Sequence, residues 1–159
     1  MACVWNYRKE LEMAQVRRAS VSWKGDLLSG KGILREVTSG AFSAMPVTWA
    51  SRTESADGRT SPEELLAAAH ATCYSMAFSS DLTKAGFPPE SLDVTSEVTF
   101  DRVDGKWTVI SSKLTVRGTV PGVDEQKFSA LAEGAKDGCP ISRALKGNVA
   151  LTVEAVLEH

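Results

Sequence analysis

The chain has 159 residues, 43% hydrophobic and 24% charged, with a formal net charge of −2. That is a globular composition, sufficient for one domain with a core. Lys and Arg are scattered rather than clustered, which excludes a basic surface for nucleic acid. No run approaches the roughly 20 apolar residues of a membrane span, and the charged opening MACVWNYRKELE does not read as a secretory signal, so no membrane association and a cytoplasmic location are expected.

Residues 1–12 show weak periodicity and precede a second methionine, Met13; they read as an N-terminal extension, with Cys3 incidental, ahead of one domain over residues 13–159. Residues 16–23 alternate polar and apolar side chains and predict a half-buried strand. Residues 30–38 and 42–52 continue a three-strand meander, with Pro46 assigning the third strand to an edge or a bulge. A polar loop, TESADGR, then leads into residues 60–82, TSPEELLAAAHATCYSMAFSSDL. This stretch predicts one helix carrying a single thiol, Cys73. Ser61 is placed to cap it, Pro62 suits the first turn, and Glu63 and Glu64 put negative charge at the positive end of the dipole. From Leu65 onward apolar and small residues cover nearly the whole circumference, the pattern of a helix with neighbours on most sides.

Lys84-Ala85-Gly86 ends that helix and Phe87-Pro88-Pro89 forms a rigid connector. Two long strands, residues 92–103 and 106–120, are joined by Asp104-Gly105, a strong hairpin signal, with a slip in alternation at Ser111-Ser112 that suggests a bulge. Asp124 is a good N-cap for a helix to about Lys136, with Gly138 placed as its C′ residue. Cys139-Pro140 opens a short helix over residues 140–145, closed by Gly147, and residues 149–157 alternate as a last strand. The terminal Leu157-Glu158-His159 is compatible with the remnant of a tag, so His159 is set aside from chemistry. This order is α+β with mostly antiparallel sheet. No glycine-rich loop leads from a strand into a helix in a phosphate-cradling pattern, and the three cysteines lack the spacing of a disulfide framework or zinc site, so neither cofactor nor metal is expected.

Two thiols remain of interest. Cys139, between a helix end and a helix start, sits where backbone N–H groups favour thiolate. Cys73, among apolar residues in mid-helix, is expected to ionise reluctantly unless a cation reaches it. A buried cysteine that does no chemistry is the plain alternative for each. His70 lies three residues before Cys73, on nearly the same face, and leaves open a Cys73–His70 hydrolase or transferase, although no third residue orients the imidazole.

Three segments, SPEELLAAAHATCYSMA (residues 61–77), AGFPP (85–89) and AKDGCPIS (135–142), resemble the osmotically inducible protein C and organic hydroperoxide resistance (OsmC/Ohr) family, nearer the OsmC branch because of His70. The resemblance spans roughly residues 15–156. It implies an OsmC-like fold in which mostly antiparallel sheets wrap a central buried helix, in an intertwined homodimer with active sites at the subunit interface. It also implies a thiol peroxidase for organic hydroperoxides, and more weakly for hydrogen peroxide. Cys73 would become a sulfenic acid, Cys139 would resolve it as a disulfide, and an external dithiol or lipoylated protein would reduce that disulfide.

The family's glutamate maps onto Glu63 and its arginine onto Arg52, with Arg35 and Arg59 as alternatives; Arg52 would hold Cys73 as thiolate and Glu63 would hold Arg52. Ten residues of straight helix separate Glu63 from Cys73 by about 15 Å, so Glu63 would serve Cys73 of another subunit, or the helix would break. A non-enzymatic dimer that binds a hydrophobic ligand, with inert cysteines, is the other reading. Trp5, Trp23, Trp49 and Trp107 are expected in the core or a subunit seam, with Trp49 and Phe78 as candidates to line a pocket.

Overall fold

A computed structural model describes residues 14–158, in two units, one ending at Ser61 and one beginning at Pro62. The expectations placed on the N-terminal extension, on Cys3 and Trp5, and on His159 lie outside the described residues.

The first unit is a three-stranded antiparallel sheet of β1 (Ala19–Lys24), β2 (Lys31–Val37) and β3 (Ser43–Val47), with β2 in the centre. Pro46 is on an edge strand, as its missing N–H requires. Residues 42–52 do not form one strand, contrary to expectation: β3 stops at Val47, and Trp49–Thr53 forms a short helix, α1. The cause is local. Thr48 caps α1, its hydroxyl accepting from the Ser51 N–H at 3.0 Å while the Ser51 hydroxyl accepts from the Thr48 N–H at 3.0 Å. This reciprocal cap outweighs the strand preference of the preceding residues.

The second unit comprises α2 (Pro62–Lys84), β4 (Ser91–Val103), β5 (Lys106–Thr119), α3 (Glu125–Gly138), α4 (Pro140–Leu145) and β6 (Ala150–Glu158). Gly86, at φ 90°, closes α2: its N–H reaches the Thr83 carbonyl and the Phe87 N–H reaches the Leu82 carbonyl, satisfying the last turn. The β4–β5 hairpin turns through Asp104 and Gly105, both with positive φ. Its bulge lies one residue before the expected slip, since Thr99 faces Ser111 and Phe100 faces Val109, leaving Ile110 as the extra residue. β6 runs parallel to β5, so the second sheet, ordered β4-β5-β6, is mixed. The two-helix connection between them, α3 and α4, is long enough to return the chain to the same end.

The core lies between this sheet and the helices. His70, Tyr74, Phe78 and Leu82 form one buried stripe on α2, and Leu114, Val116, Phe128, Ala132 and Ala135 meet it. The Phe78 ring sits 5.9 Å from Tyr74 and 5.2 Å from Phe128, and the Tyr74 hydroxyl donates to the Ala132 carbonyl at 2.6 Å. Phe78 thus belongs to the core rather than to a pocket wall. Elsewhere on α2, Ala68, Ala69 and Thr72 are exposed, and Met76 is 67% exposed. Within the second unit α2 is buried along that one stripe, not around the whole circumference expected. Trp23 and Trp107, at 41% and 45% exposure, are likewise outside the core; Trp107 stacks on Phe100 at 5.0 Å. No helix among the described residues is long and apolar enough to cross a membrane.

Two glycines test this packing. A Cβ at Gly118 would lie 2.8 Å from Leu92 Cδ2 and 3.0 Å from the Phe128 ring, whereas one at Gly134 would meet nothing within 4 Å. Gly118→Ala should cost about 1–3 kcal/mol in urea unfolding. Gly134→Ala, in the interior of α3, should stabilise by about 0.5–1 kcal/mol.

Candidate active site

Cys139 ends one helix and begins the next. Its N–H donates to the Ala135 carbonyl at 3.0 Å, closing α3, and its sulfur accepts from the Ser142 N–H at 3.4 Å, capping α4. Gly138 is the last residue of α3, not the C′ residue expected from its type. The residue before a proline avoids helical backbone, and Cys139 is accordingly extended at φ −78° and ψ 116°, so the chain turns at the cysteine itself. The side chain is completely buried.

Cys73 projects from α2, half-buried, and packs against the core cluster that contains Cys139, close enough for each thiol to affect the other's ionisation. Their ionisations are displaced in opposite directions. Burial pushes the Cys73 thiol up, and Cys139 adds to this against the pull of the Ile141 N–H. Burial also acts on Cys139, but the Ser142 hydroxyl and N–H, then Cys73 and the Ile141 N–H, outweigh it and hold Cys139 below the ordinary thiol value. Both displacements follow the directions expected from sequence. The result is a dithiol pair in which the inaccessible sulfur is the readier thiolate and the more exposed one needs further positive charge.

His70 is fully buried on α2, and both ring nitrogens are engaged: Nδ1 with Ser112 Oγ at 2.7 Å and Nε2 with Ser142 Oγ at 2.8 Å. Neither is left for Cys73. A Cys73–His70 hydrolase dyad is therefore contradicted by geometry. Burial lowers the imidazole pKa, favouring the neutral ring. Ser112 Oγ in turn lies 3.1 Å from Ser96 Oγ. These serines were not singled out from sequence, although Ser96 and Ser112 interrupt otherwise apolar inward faces, which is a signal that a buried polar partner awaits them.

Arg52 sits on α1 rather than on the expected strand, half-buried, with its guanidinium carbon 5.7 Å from the Trp49 ring centroid. Arg35 is exposed on β2, and Arg59 is exposed with its guanidinium 4.0 Å from Asp57. Glu63 is buried in the first turn of α2. Because α2 is unbroken from Pro62 to Lys84, a helix break between Glu63 and Cys73 is ruled out, and the two remain about 15 Å apart along one axis. Among the described residues there is no group of three His, Cys, Asp or Glu that could hold a metal ion.

The second unit is α+β and packs two free thiols near one another, one at a helix-to-helix junction and one on a core helix. Comparison with known proteins gives the kinship. The model of the OsmC-like protein family matches residues 55–154. Over 135 residues the chain is 39% identical to the peroxiredoxin OsmC of Escherichia coli (strain K12), covering 85% of this chain and 93% of that protein. It is 28% identical over 95 residues to the organic hydroperoxide resistance protein of Xanthomonas axonopodis pv. citri (strain 306), covering 59% of this chain and 65% of that one.

Among solved structures, the organic hydroperoxide resistance protein OhrB of Bacillus subtilis matches with a TM-score of 0.68 at 22% identity, over 87% of this chain and 97% of that chain. An OsmC-like protein from Mycoplasma pneumoniae matches with a TM-score of 0.67 at 16% identity, over 92% of this chain and 100% of that chain. The chain belongs to the OsmC family and has its α+β fold. Its kinship with a peroxiredoxin supports peroxidase activity.

The account of Cys139 makes one direct prediction. In a Cys3→Ser/Cys73→Ser protein, adding Ser142→Ala removes a donor to the remaining sulfur, so its ionisation, followed by thiolate absorbance at 240 nm, should move to higher pH. An unmoved titration would show that the Ser142 hydroxyl does not stabilise the thiolate.

Proposed function

We propose that the protein is a thiol peroxidase that reduces organic hydroperoxides, and more weakly hydrogen peroxide, through Cys73 and Cys139. The observation that carries this reading is the pair of free thiols packed together in the core, one half-buried and one buried and inclined to thiolate. Cys73, the sulfur that a substrate can approach, attacks the hydroperoxide as thiolate; the O–O bond breaks, the alkoxide takes a proton and leaves as alcohol, and Cys73 becomes a sulfenic acid. The Cys139 thiolate then attacks the Cys73 sulfur, the S–O bond breaks, hydroxide leaves with a proton as water, and a disulfide remains. An external dithiol, of which a lipoylated protein is one form, returns both thiols and becomes a disulfide itself.

Cys73 needs a cation to ionise, and we assign that role to Arg52, steadied by Glu63, in a homodimer whose active sites lie at the subunit interface. Two observations support the assignment. Glu63, about 15 Å along the helix from its own Cys73, cannot serve that thiol, so a role at a Cys73 calls for one from a second subunit. Ala68, Ala69, Thr72 and Met76, exposed on α2, are small or apolar side chains of the kind a second α2 would pack against. An arginine beside a thiolate stabilises it by charge and directed hydrogen bonds.

The reading is tested by counting thiols after one equivalent of cumene hydroperoxide. Wild type should lose two thiols per subunit, Cys73→Ser none, and Cys139→Ser one, stalled as a sulfenic acid. Retention of all thiols in every protein would leave the cysteines inert and favour the ligand-binding reading. Arg52→Ala should slow Cys73 oxidation by about tenfold or more, the order expected when a charged hydrogen bond is lost. It should leave disulfide closure unchanged.

A further inference from the structure

Lys and Arg are scattered along the chain, yet three of them meet on one face of the first sheet. The register settles which face. Ser22 stands opposite Ile33 and Lys24 opposite Lys31, while Pro46 of β3 stands opposite Ile33, so Ser22, Lys24, Lys31, Ile33, Arg35 and Pro46 share one side. Trp23, Gly32, Leu34 and Val47 take the other, where a Cβ on Gly32 would lie 2.7 Å from both the Trp23 ring and Val47. On the first side Lys24, Lys31 and Arg35 are exposed, and Ile33, between the last two, is 48% exposed. With Ser22, Ser29 and Ala44 they line a groove of about 650 Å³.

The charge of this groove is not neutralised. Among the described residues no carboxylate pairs with Lys24, Lys31 or Arg35. The strand cations of the second sheet differ: Lys113 and Arg117 on β5 are held by Glu154 and Glu158 of β6 at 2.9 and 2.7 Å. The acid nearest Lys24 in sequence, Asp26, is taken up by its own turn. It accepts from the Leu28 and Ser29 N–H groups, each at 2.9 Å, and from the Ser29 hydroxyl at 2.6 Å. Lys24 and Lys31 also oppose one another directly, and like charges so placed destabilise a sheet.

The spacing describes what would fit. Arg35 lies four residues from Lys31 on the same face of β2, about 13 Å along the strand, with apolar Ile33 midway. An extended polypeptide carries side chains at the same interval, so carboxylates four residues apart match the two cations and a small apolar residue between them meets Ile33. The carboxylate at the Lys31 end also meets Lys24. A nucleic acid fits less well, because its phosphates recur far more closely than 13 Å and the aromatic side chain nearest the groove, Trp23, lies on the opposite face.

We propose that this face is a docking surface for an extended acidic segment of another protein, with carboxylates four residues apart over Lys31 and Arg35 and an apolar side chain over Ile33. The pairs are exposed, so the docking is weak, fast and sensitive to salt.

The test is fluorescence anisotropy of the labelled peptide GSETVTESG with the full chain. Its affinity should fall about tenfold or more between about 20 and 300 mM salt. Lys31→Glu and Arg35→Glu, both at exposed positions, should each weaken it about fivefold or more, and Ile33→Ser by less. The neutral peptide GSQTVTQSG should not bind, and GSTVEETSG, with its two acids adjacent, should bind more weakly than GSETVTESG.

Equal binding of the neutral peptide, or unchanged affinity in both charge reversals, would overturn the proposal. So would displacement by orthophosphate at the peptide's own concentration, which would mark a simple anion site. Tighter binding of a single-stranded oligonucleotide would assign the face to nucleic acid. Self-association of the protein at low salt, lost in the same variants, would assign it to a second copy of this chain, and either result would overturn the proposal as well.

Discussion

The seating of the α3–α4 junction against one face of α2 is the constraint on which the rest of this protein depends. It brings Cys139 to Cys73, and it does so with interactions that have few substitutes: Tyr74 bonded to the Ala132 carbonyl, His70 bonded to Ser142, and the Phe78–Phe128 contact beneath them. The first two are buried polar groups whose loss leaves an orphaned partner, at a cost of about 1–3 kcal/mol each. The sheet supplies the base. Ser112, Leu114 and Val116 on β5 present alternate side chains to the helices, so register in β5 decides whether Ser112 faces His70 at all.

Two chemically identical side chains diverge because their surroundings differ in donors more than in burial. Both thiols feel burial as an obstacle to ionisation. Cys139 overcomes it with donors from its own junction, supplied by a chain that must turn at the residue before Pro140. Cys73, inside a continuous helix whose own amides are committed to its backbone, has only the Ile141 N–H acting against burial and Cys139. That asymmetry suits a reaction in which one thiol meets substrate and the other waits in a protected place.

Much of this was legible in the sequence where local rules act alone. Glu63 and Glu64 at the start of α2, Asp104-Gly105 at the hairpin and Asp124 at the cap of α3 carry their structures in their own side chains or backbone freedom. Cys139 before Pro140 likewise marks its own cap. Other features depend on partners distant in sequence. Nothing near residue 150 says that β6 pairs parallel to β5, and the bulge at Ile110 is set by the opposing strand. The apolar run before Arg52 reads as strand until the Thr48–Ser51 cap is weighed. His70 drew attention because it is near Cys73 in sequence, but its partners, Ser112 and Ser142, lie 42 and 72 residues away and occupy both ring nitrogens. The roles proposed for Arg52 and Glu63 rest on family likeness and on helix length, since a single chain separates Glu63 from its own Cys73.

The most direct test of the central claim is peptide mapping of the disulfide formed when reduced protein meets one equivalent of an organic hydroperoxide under native conditions. The account predicts one bond, between Cys73 and Cys139 of the same chain. A bond through Cys3, a bond between chains, or an oxidised Cys73 that never pairs would contradict it.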